Sequence, residues 1–143
     1  MKNKDFAVFI LTHGRPDNVK TYNVIRNRGY TGKIYIIIDN EDPTAKRYYE
    51  KFGAEVIMFN KKEIAETFDE ADNFNDKRAI VYARNASFDI AKKLNIKYFL
   101  QLDDDYIAFH YRLYAIHKPE QIKNLDKVFD MMLDFYKSIP AKS

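Results

Sequence analysis

The chain of 143 residues contains no cysteine, which excludes disulfides, thiolate metal sites and cysteine nucleophiles together. It also lacks an apolar run near the ~20 residues that a transmembrane helix needs. The first apolar run, Phe6 to Leu11, is too short for the core of a signal peptide. Basic residues are spread along the chain and the net charge is only +3, which does not by itself indicate nucleic-acid binding. We therefore expect a cytoplasmic protein that does not engage a membrane.

The composition that remains is typical of a folded domain. Apolar residues make up 46% of the chain and charged residues 31%, a balance that favours a globular protein over a disordered one. A chain of this length suits one domain with a proper core. We therefore predict a single domain over residues 1–143.

Apolar runs and helical patterns alternate along the chain. The predicted strands are 6–11, 33–38, 54–59, 98–102 and 106–114. The first three predicted helices are 18–28, capped by Asp17 or Asn18, then 43–52 and 76–94. A last helix is predicted with Pro119 near its first turn, and its apolar face consists of Ile122, Leu125, Phe129, Met132 and Tyr136. The polar segment 60–75 has two interpretations: Ile64, Ala65 and Phe68 allow one helical turn or more, whereas its clustered Asp and Asn residues suit a mobile loop. This alternation predicts an α/β protein with a doubly wound, mainly parallel sheet of Rossmann-like topology.

Polar clusters follow three of the predicted strands. They are Thr12 to Arg15, Asp39-Asn40 and Asp103 to Asp105. In doubly wound sheets, ligands bind beyond the carboxyl ends of the strands, near the point where the strand order reverses. We expect the three clusters to meet along one rim.

The aspartate triplet predicts a divalent-metal site. Adjacent carboxylates repel one another, and a hard dication that takes oxygen ligands relieves this repulsion. Alternate residues of an extended segment point the same way, so Asp103 and Asp105 can share one Mg²⁺ or Mn²⁺, which can also hold a diphosphate. A solvated acidic turn is the alternative interpretation. His110 follows a few residues later, but a lone strand histidine more often packs or lies at the surface than binds metal.

Other polar residues are candidates for nucleotide contacts. Arg84 borders the buried stripe of its helix, with Lys77 on the same side, and a guanidinium there can bind phosphate or a base carbonyl; an ordinary surface ion pair is the alternative. Asp39 can accept from a base or a ribose hydroxyl, or simply cap a turn. Thr12 and Arg15 can hold a base or phosphate, or serve only the turn around Gly14.

Four segments together resemble the donor-binding half of GT-A glycosyltransferases, which are metal-dependent nucleotide-sugar enzymes. The matching segments are Phe9 to Pro16, Ile38-Asp39-Asn40, Ala83-Arg84-Asn85 and Leu102 to Asp105. More narrowly, the opening and the block Gln101 to Tyr106 look like bacteriophage glycosyltransferases associated with TET-type oxygenases, which are thought to decorate modified DNA bases.

The resemblance implies a role for each matching residue. A UDP-sugar is the favoured donor, and Mn²⁺ or Mg²⁺ the cofactor. By this resemblance, Thr12, Arg15 and Asp39 would hold the nucleoside and Arg84 would touch the base or phosphates. Asp103 or Asp104 would contact the ribose, and Asp105 would bind the metal. With the candidates argued from the residues themselves, the predicted nucleotide contacts are Thr12, Arg15, Asp39, Lys77, Arg84, Asp103 and Asp104, and the predicted metal ligands are Asp103 and Asp105. No residue stands out as a catalytic base.

GT-A enzymes continue well past the metal motif into a part that supplies the acceptor site. We therefore expect this chain to be a fragment, or to be completed by a partner or by oligomerisation. Two alternatives stay open: a non-catalytic nucleotide-sugar-binding module, and a nucleotidyltransferase. The latter usually carries a glycine-rich basic loop after the first strand, of which Thr12 to Pro16 is a poor version. A receiver domain would need acids after the first strand, where none occurs.

Overall fold

A sheet of four parallel strands forms the centre of the protein. In the computed structural model, which describes residues 1–67, 79–111 and 120–140, the strands are β1 (Phe6–Leu11), β2 (Lys33–Asp39), β3 (Val56–Phe59) and β4 (Tyr98–Asp103). Their spatial order is β3-β2-β1-β4. The helices are α1 (Lys20–Asn27), α2 (Ala45–Phe52), α3 (Lys61–Ala65), α4 (Ala79–Lys93) and α5 (Leu125–Ser138). A separate antiparallel pair consists of β5 (His110–Tyr111) and β6 (Glu120–Gln121).

Helices cover both faces of the sheet. Because successive strand residues point to opposite faces, Val8 and Ile10 of β1 pack with α1, α2 and α5, whereas Phe9 packs on the other face with α3 and α4. All six residues of β1 are buried, as its continuous apolar run predicts for a strand covered on both sides. The prediction of a doubly wound α/β fold is confirmed.

The order of the strands defines where the chain reverses direction across the sheet. From β1 the chain moves outward to β2 and β3, and then returns to the opposite side of β1 to form β4. The reversal lies between β1 and β4, where Leu11 is paired with Asp103. The cluster that follows β1 therefore lies directly beside the aspartate triplet, at the position where such sheets bind ligands.

Several predicted boundaries were wrong. The fifth strand was predicted at 106–114. Within the described residues, 106–109 form no strand and His110–Tyr111 pair with Glu120–Gln121 rather than with the main sheet, while residues 112–114 lie outside the described part of the chain. The third strand begins two residues late, because Gly53–Glu55 form a 3-10 turn. The segment 61–65 is helical, as one of the two interpretations of the polar stretch allowed, and residues 68–78 lie outside the described part of the chain.

The last and the first helix also begin at residues other than those predicted. The last helix begins at Leu125 rather than near Pro119, because the side chain of Asn124 accepts a hydrogen bond from Lys127 N and caps it. Ile122 lies before the helix, although it is buried in the core. The first helix has Val19 as its N-cap, without a side-chain cap from Asp17 or Asn18.

The last helix packs on the sheet and is tied to the start of the chain. Leu125, Phe129 and Leu133 are buried, at the four-residue spacing of one helix face. The amino group of Met1 lies 3.2 Å from Asp126. Met132, predicted on the apolar face of this helix, is 54% exposed.

Met132 and the exposed Phe135 line a groove of about 830 Å³ that runs beside β4. This groove lies along the outer edge of the sheet, and its lining includes Arg84, which also contacts Asp103 at the polar rim. None of the helices in the described part of the chain has the length and hydrophobicity of a membrane span.

Candidate functional site

The backbone of the aspartate triplet is fixed by the N-terminus of α1. The hydroxyl of Thr21 donates to the carbonyl of Asp103 at 2.6 Å, and the amide of Thr21 donates to the carbonyl of Asp104 at 3.2 Å. The same hydroxyl accepts from Tyr106 N at 2.9 Å. Because the first amides of a helix have no partner within the helix, the triplet satisfies one of them and is held in place by it.

Asp104 is the buried member of the triplet and ends a chain of hydrogen bonds. Thr12 donates its hydroxyl proton to Oδ2 of Asp104 at 2.6 Å. The Thr12 oxygen lies 2.7 Å from the Tyr48 hydroxyl, which must then be the donor in that pair. Tyr48 in turn accepts from Arg15 N at 2.9 Å. These links join the loop after β1, helix α2 and the triplet in one buried network.

The second oxygen of Asp104 faces Arg15. Nη2 of Arg15 lies 2.8 Å from Oδ1, so the two side chains form a close ion pair. The alignment is poor, however, and Oδ1 is buried without a well-formed hydrogen bond to any described residue. A buried carboxylate oxygen in this state is unusual and can accept from a ligand.

The other predicted arginine contacts the neighbouring member of the triplet. Nη2 of Arg84 lies 3.2 Å from Oδ1 of Asp103, and the backbone carbonyl of Arg84 accepts from the side chain of Gln101 at 3.0 Å. The side chain of Arg84 is 52% exposed and that of Asp103 is 40% exposed. Arg84 therefore reaches the rim from α4, at the border of the buried stripe, where its sequence position predicts it.

Asp39 ends β2 and is paired with a histidine of the loop after β1. Nδ1 of His13 lies 2.6 Å from Oδ2 of Asp39 and 3.7 Å from Oδ2 of Asp42. The other oxygen of Asp39 accepts from Glu41 N at 2.9 Å. Asp39 is only 1% exposed, and each of its oxygens already has a partner within the protein. A base that contacted Asp39 directly would have to reach this buried carboxylate, whereas the side chain of His13 is 42% exposed.

Asp42 shapes the loop that carries His13. It accepts from Gly14 N at 2.7 Å and from the amide and hydroxyl of Thr44. Gly14 has a φ of +68°, a conformation that glycine adopts without strain. Burial alone would raise the pKa of Asp42, but the hydrogen bonds from Thr44 and Gly14 outweigh it and hold the pKa below its ordinary value. Asp42 is therefore ionised beside His13.

Burial also keeps Tyr48 protonated. It raises the pKa of the Tyr48 hydroxyl, and the hydrogen bonds with Thr12 and Arg15 oppose this shift only in part. The hydroxyl is therefore a donor to Thr12 throughout the neutral range, as the hydrogen-bond chain to Asp104 requires.

Most of the predicted residues come together at this rim. Thr12 and Arg15 contact Asp104, and Arg84 contacts Asp103. Asp105 follows in the turn after β4 with its side chain exposed. Lys77 lies outside the described residues, and the exposed His110 belongs to the separate strand pair rather than to the sheet.

Four residues of the site escaped the sequence analysis. His13, Thr21, Asp42 and Tyr48 connect the clusters that were predicted. Two of them had a usable signal: His13 lies between two predicted site residues, and Asp42 follows Asp39 at a three-residue spacing before a predicted helix. Thr21 and Tyr48 resemble ordinary helix residues, and their role depends on contacts made only in the folded chain.

The exposed carboxylates suit a divalent cation that is shared with a ligand. Asp103 and Asp105 are the accessible members of the triplet, and buried Asp104 leaves one oxygen without a good hydrogen bond. Among the described residues, no three His, Asp or Glu side chains form a group that could hold a metal by themselves. Mg²⁺ often takes only one or two protein carboxylates and completes its shell with substrate phosphates and water. The donor set therefore fits such a metal.

Comparison with known proteins identifies a family to which this chain is similar. A family model described as TET-Associated Glycosyltransferase matches residues 6–142, and so spans nearly the whole chain, from β1 to the residues beyond α5. Neither the curated proteins nor the solved structures contain a match to this chain. The name of the family indicates transfer of a sugar, which agrees with the strand-end cluster of acids and arginines. The chain belongs to the TET-associated glycosyltransferase family.

Proposed function

We propose that the rim built by β1, β2 and β4 binds a nucleotide-diphosphate sugar, with a UDP-sugar favoured, together with Mn²⁺ or Mg²⁺. The observation that carries this proposal is the pairing of the two arginines, Arg15 and Arg84, with the triplet Asp103 to Asp105 at the reversal point of the sheet. A site that holds opposite charges side by side can bind a ligand that itself combines anionic phosphates with a cation.

The metal ligands in this proposal are Asp103 and Asp105. When bound, the cation would neutralise charge on the diphosphate that leaves the sugar. The protein prepares the position by fixing the backbone of the triplet to Thr21 and by burying Asp104 between its exposed neighbours. Asp103 ends β4 and Asp105 lies in the turn that follows, so the two accessible carboxylates flank the buried Asp104.

The arginines supply positive charge for the phosphates. Both guanidinium groups are about half exposed, so each can turn to a ligand without unfolding its surroundings. A cation at Asp103 would replace Arg84 as the counter-charge of that carboxylate, which would release the guanidinium for a phosphate oxygen. In the same way, movement of Arg15 would leave Oδ1 of Asp104 for a ribose hydroxyl. Lys77 stays a proposed phosphate contact outside the described residues.

The proposed acceptor is inferred from the family rather than from the geometry of the rim. The family name supports glycosyl transfer, and the resemblance of the opening segment and of Gln101 to Tyr106 favours a modified base in phage DNA as the acceptor. Transfer to such a base needs a hydroxyl on it as nucleophile.

Thermal shift measurements test the donor site. We expect UDP to raise the melting temperature in the presence of Mn²⁺ and to have little effect without it, whereas GDP and CMP give smaller shifts. Asp105→Ala should abolish the metal-dependent shift. Asp89→Ala, which removes an exposed carboxylate from α4 away from the rim, is the matched control and should leave it unchanged.

Two outcomes would contradict the proposal. One is a nucleotide shift that is the same with and without Mn²⁺. The other is an Asp105→Ala protein that responds to UDP and Mn²⁺ like the control. If the donor site is supported, release of UDP from UDP-glucose, measured with DNA that carries hydroxyl-bearing modified bases, tests the transfer reaction.

A further inference from the structure

His13 occupies an ordered position at the carboxyl ends of β1 and β2. Its Nδ1 lies 2.6 Å from a carboxylate oxygen of Asp39, and the second nearby acid, Asp42, lies 3.7 Å away. Both carboxylates are buried, whereas the side chain of His13 is 42% exposed. The ring is therefore held from inside the protein by one nitrogen and has its other edge towards solvent.

The bonds of Asp39 fix the tautomer of this histidine. One carboxylate oxygen accepts from Glu41 N and the other faces Nδ1 of His13, so Nδ1 must be the donor. In the neutral imidazole, Nε2 then carries a lone pair and can only accept. Nε2 has no hydrogen-bond partner in the described part of the chain, and it is free to meet a ligand.

The distance between this histidine and the triplet suits the two ends of one nucleotide. In the order β2-β1-β4, the ends of β2 and β4 are two strand spacings apart, which is about 10 Å. A nucleoside diphosphate whose phosphates lie at Asp103 and Asp105 can extend over Thr12, and its base then arrives near the end of β2. The loop from Thr12 to Arg15 contributes to both ends of this path.

We propose that His13, and not Asp39, contacts the edge of the nucleobase, and that its Nε2 selects a base with a ring N–H. This inference rests on the proposed donor site and names the residue that reads the donor. The N3–H of uracil can donate to Nε2, whereas N3 of cytosine and N1 of adenine present a lone pair that Nε2 repels. Asp39 acts through His13 as a positioning residue, because it holds the ring and its tautomer.

The substitution Asp39→Asn separates this role from a direct contact. Its amide oxygen can still accept from Glu41 N, which turns the NH₂ group towards Nδ1 of His13. Nδ1 must then accept, the proton moves to Nε2, and Nε2 becomes a donor. The same change of tautomer accompanies an Asp to Asn exchange beside a catalytic histidine in serine proteases. We therefore expect Asp39→Asn to reverse the preference from UDP towards CDP.

Isothermal titration with UDP and CDP at pH 8 in Mn²⁺ tests the proposal. The wild type should bind UDP at least 10-fold more tightly than CDP, a difference of about 1.4 kcal/mol. His13→Ala should weaken UDP about 10-fold and should not weaken CDP, because the repulsion of cytosine N3 is lost with the imidazole. His13→Gln, whose amide can accept or donate near the position of Nε2, should bind both nucleotides with little preference. The melting temperature of each unliganded variant checks that it is folded.

The results distinguish this inference from the donor site itself. If the wild type binds UDP in a Mn²⁺-dependent way but His13→Ala and Asp39→Asn keep the wild-type ratio of UDP to CDP affinity, the role of His13 is refuted and the donor site stands. If no nucleotide binds the folded wild type, the proposed donor site and this inference both fall.

Discussion

Removal of the Thr12 hydroxyl tests the buried network that shapes the rim. Thr12 is 7% exposed, donates to Asp104 at 2.6 Å and accepts from Tyr48 at 2.7 Å. Thr12→Val keeps the shape of the side chain but leaves a buried carboxylate oxygen and a buried hydroxyl without these partners. Each such loss costs about 1–3 kcal/mol, and more for a charged group, so the free energy of unfolding should fall by about 3 kcal/mol.

Urea denaturation measures this loss. With an m-value of about 2 kcal/mol/M, a loss of about 3 kcal/mol moves the unfolding midpoint about 1.5 M lower at an unchanged m-value. Thr12→Ser keeps the hydroxyl and should lose only about 1 kcal/mol for the missing methyl group. Tyr48→Phe removes the neighbouring hydroxyl, and its effect should be less than additive with that of Thr12→Val, because both break the same link.

The reasoning is refuted if Thr12→Val unfolds within about 0.5 kcal/mol of the wild type, the range typical of surface changes. An equal loss in Thr12→Ser would also contradict it, since that result would assign the effect to the methyl group rather than to the hydrogen bonds.

Two further predictions concern stability. Phe129→Ala should lower the free energy of unfolding by about 3–5 kcal/mol, because Phe129 is 5% exposed and packs against two aromatic rings. Phe135 is 70% exposed on the same helix, so Phe135→Ala should cost less than about 0.5 kcal/mol, and equal losses in urea denaturation would contradict the packing of α5. The lowered pKa of Asp42 contributes stability that is complete above about pH 4, the ordinary value of the unfolded chain, and is lost as pH falls through the lower folded value. Asp42→Asn should therefore show a shallower loss of stability below pH 4 than the wild type, and identical acid profiles would argue against that role.

The sequence predicted the elements whose signal is local. The apolar runs at β1 and β2 are long enough to mark strands buried on both faces, and the structure places them at the centre of the sheet. Arg84 also lies where its place beside the buried stripe of α4 predicts, within reach of Asp103. These inferences need only periodicity and the general rule that strand ends meet at one edge of a parallel sheet.

The parts that were missed depend on distant contacts or on competing local signals. Tyr48 reaches Thr12 across 36 positions, and Thr12 reaches Asp104 across 92, so no local pattern reveals the network. The start of the last helix was misplaced because Pro119 and Asn124 both resemble helix starts, and only the cap made by Asn124 is used. Burial of Asp104 likewise depends on its contacts with Thr12 and Arg15, because no local signal distinguishes it from Asp103 and Asp105.

A crystal structure of the protein grown with Mn²⁺ and UDP tests the central claim most directly. We expect an anomalous peak for manganese about 2.1 Å from carboxylate oxygens of Asp103 and Asp105, a distance typical of a hard dication of this size. The diphosphate should bridge the metal and a guanidinium of Arg15 or Arg84, and the uracil should lie at His13. Manganese bound away from the triplet, or UDP bound in the apolar groove beside β4, would contradict the account.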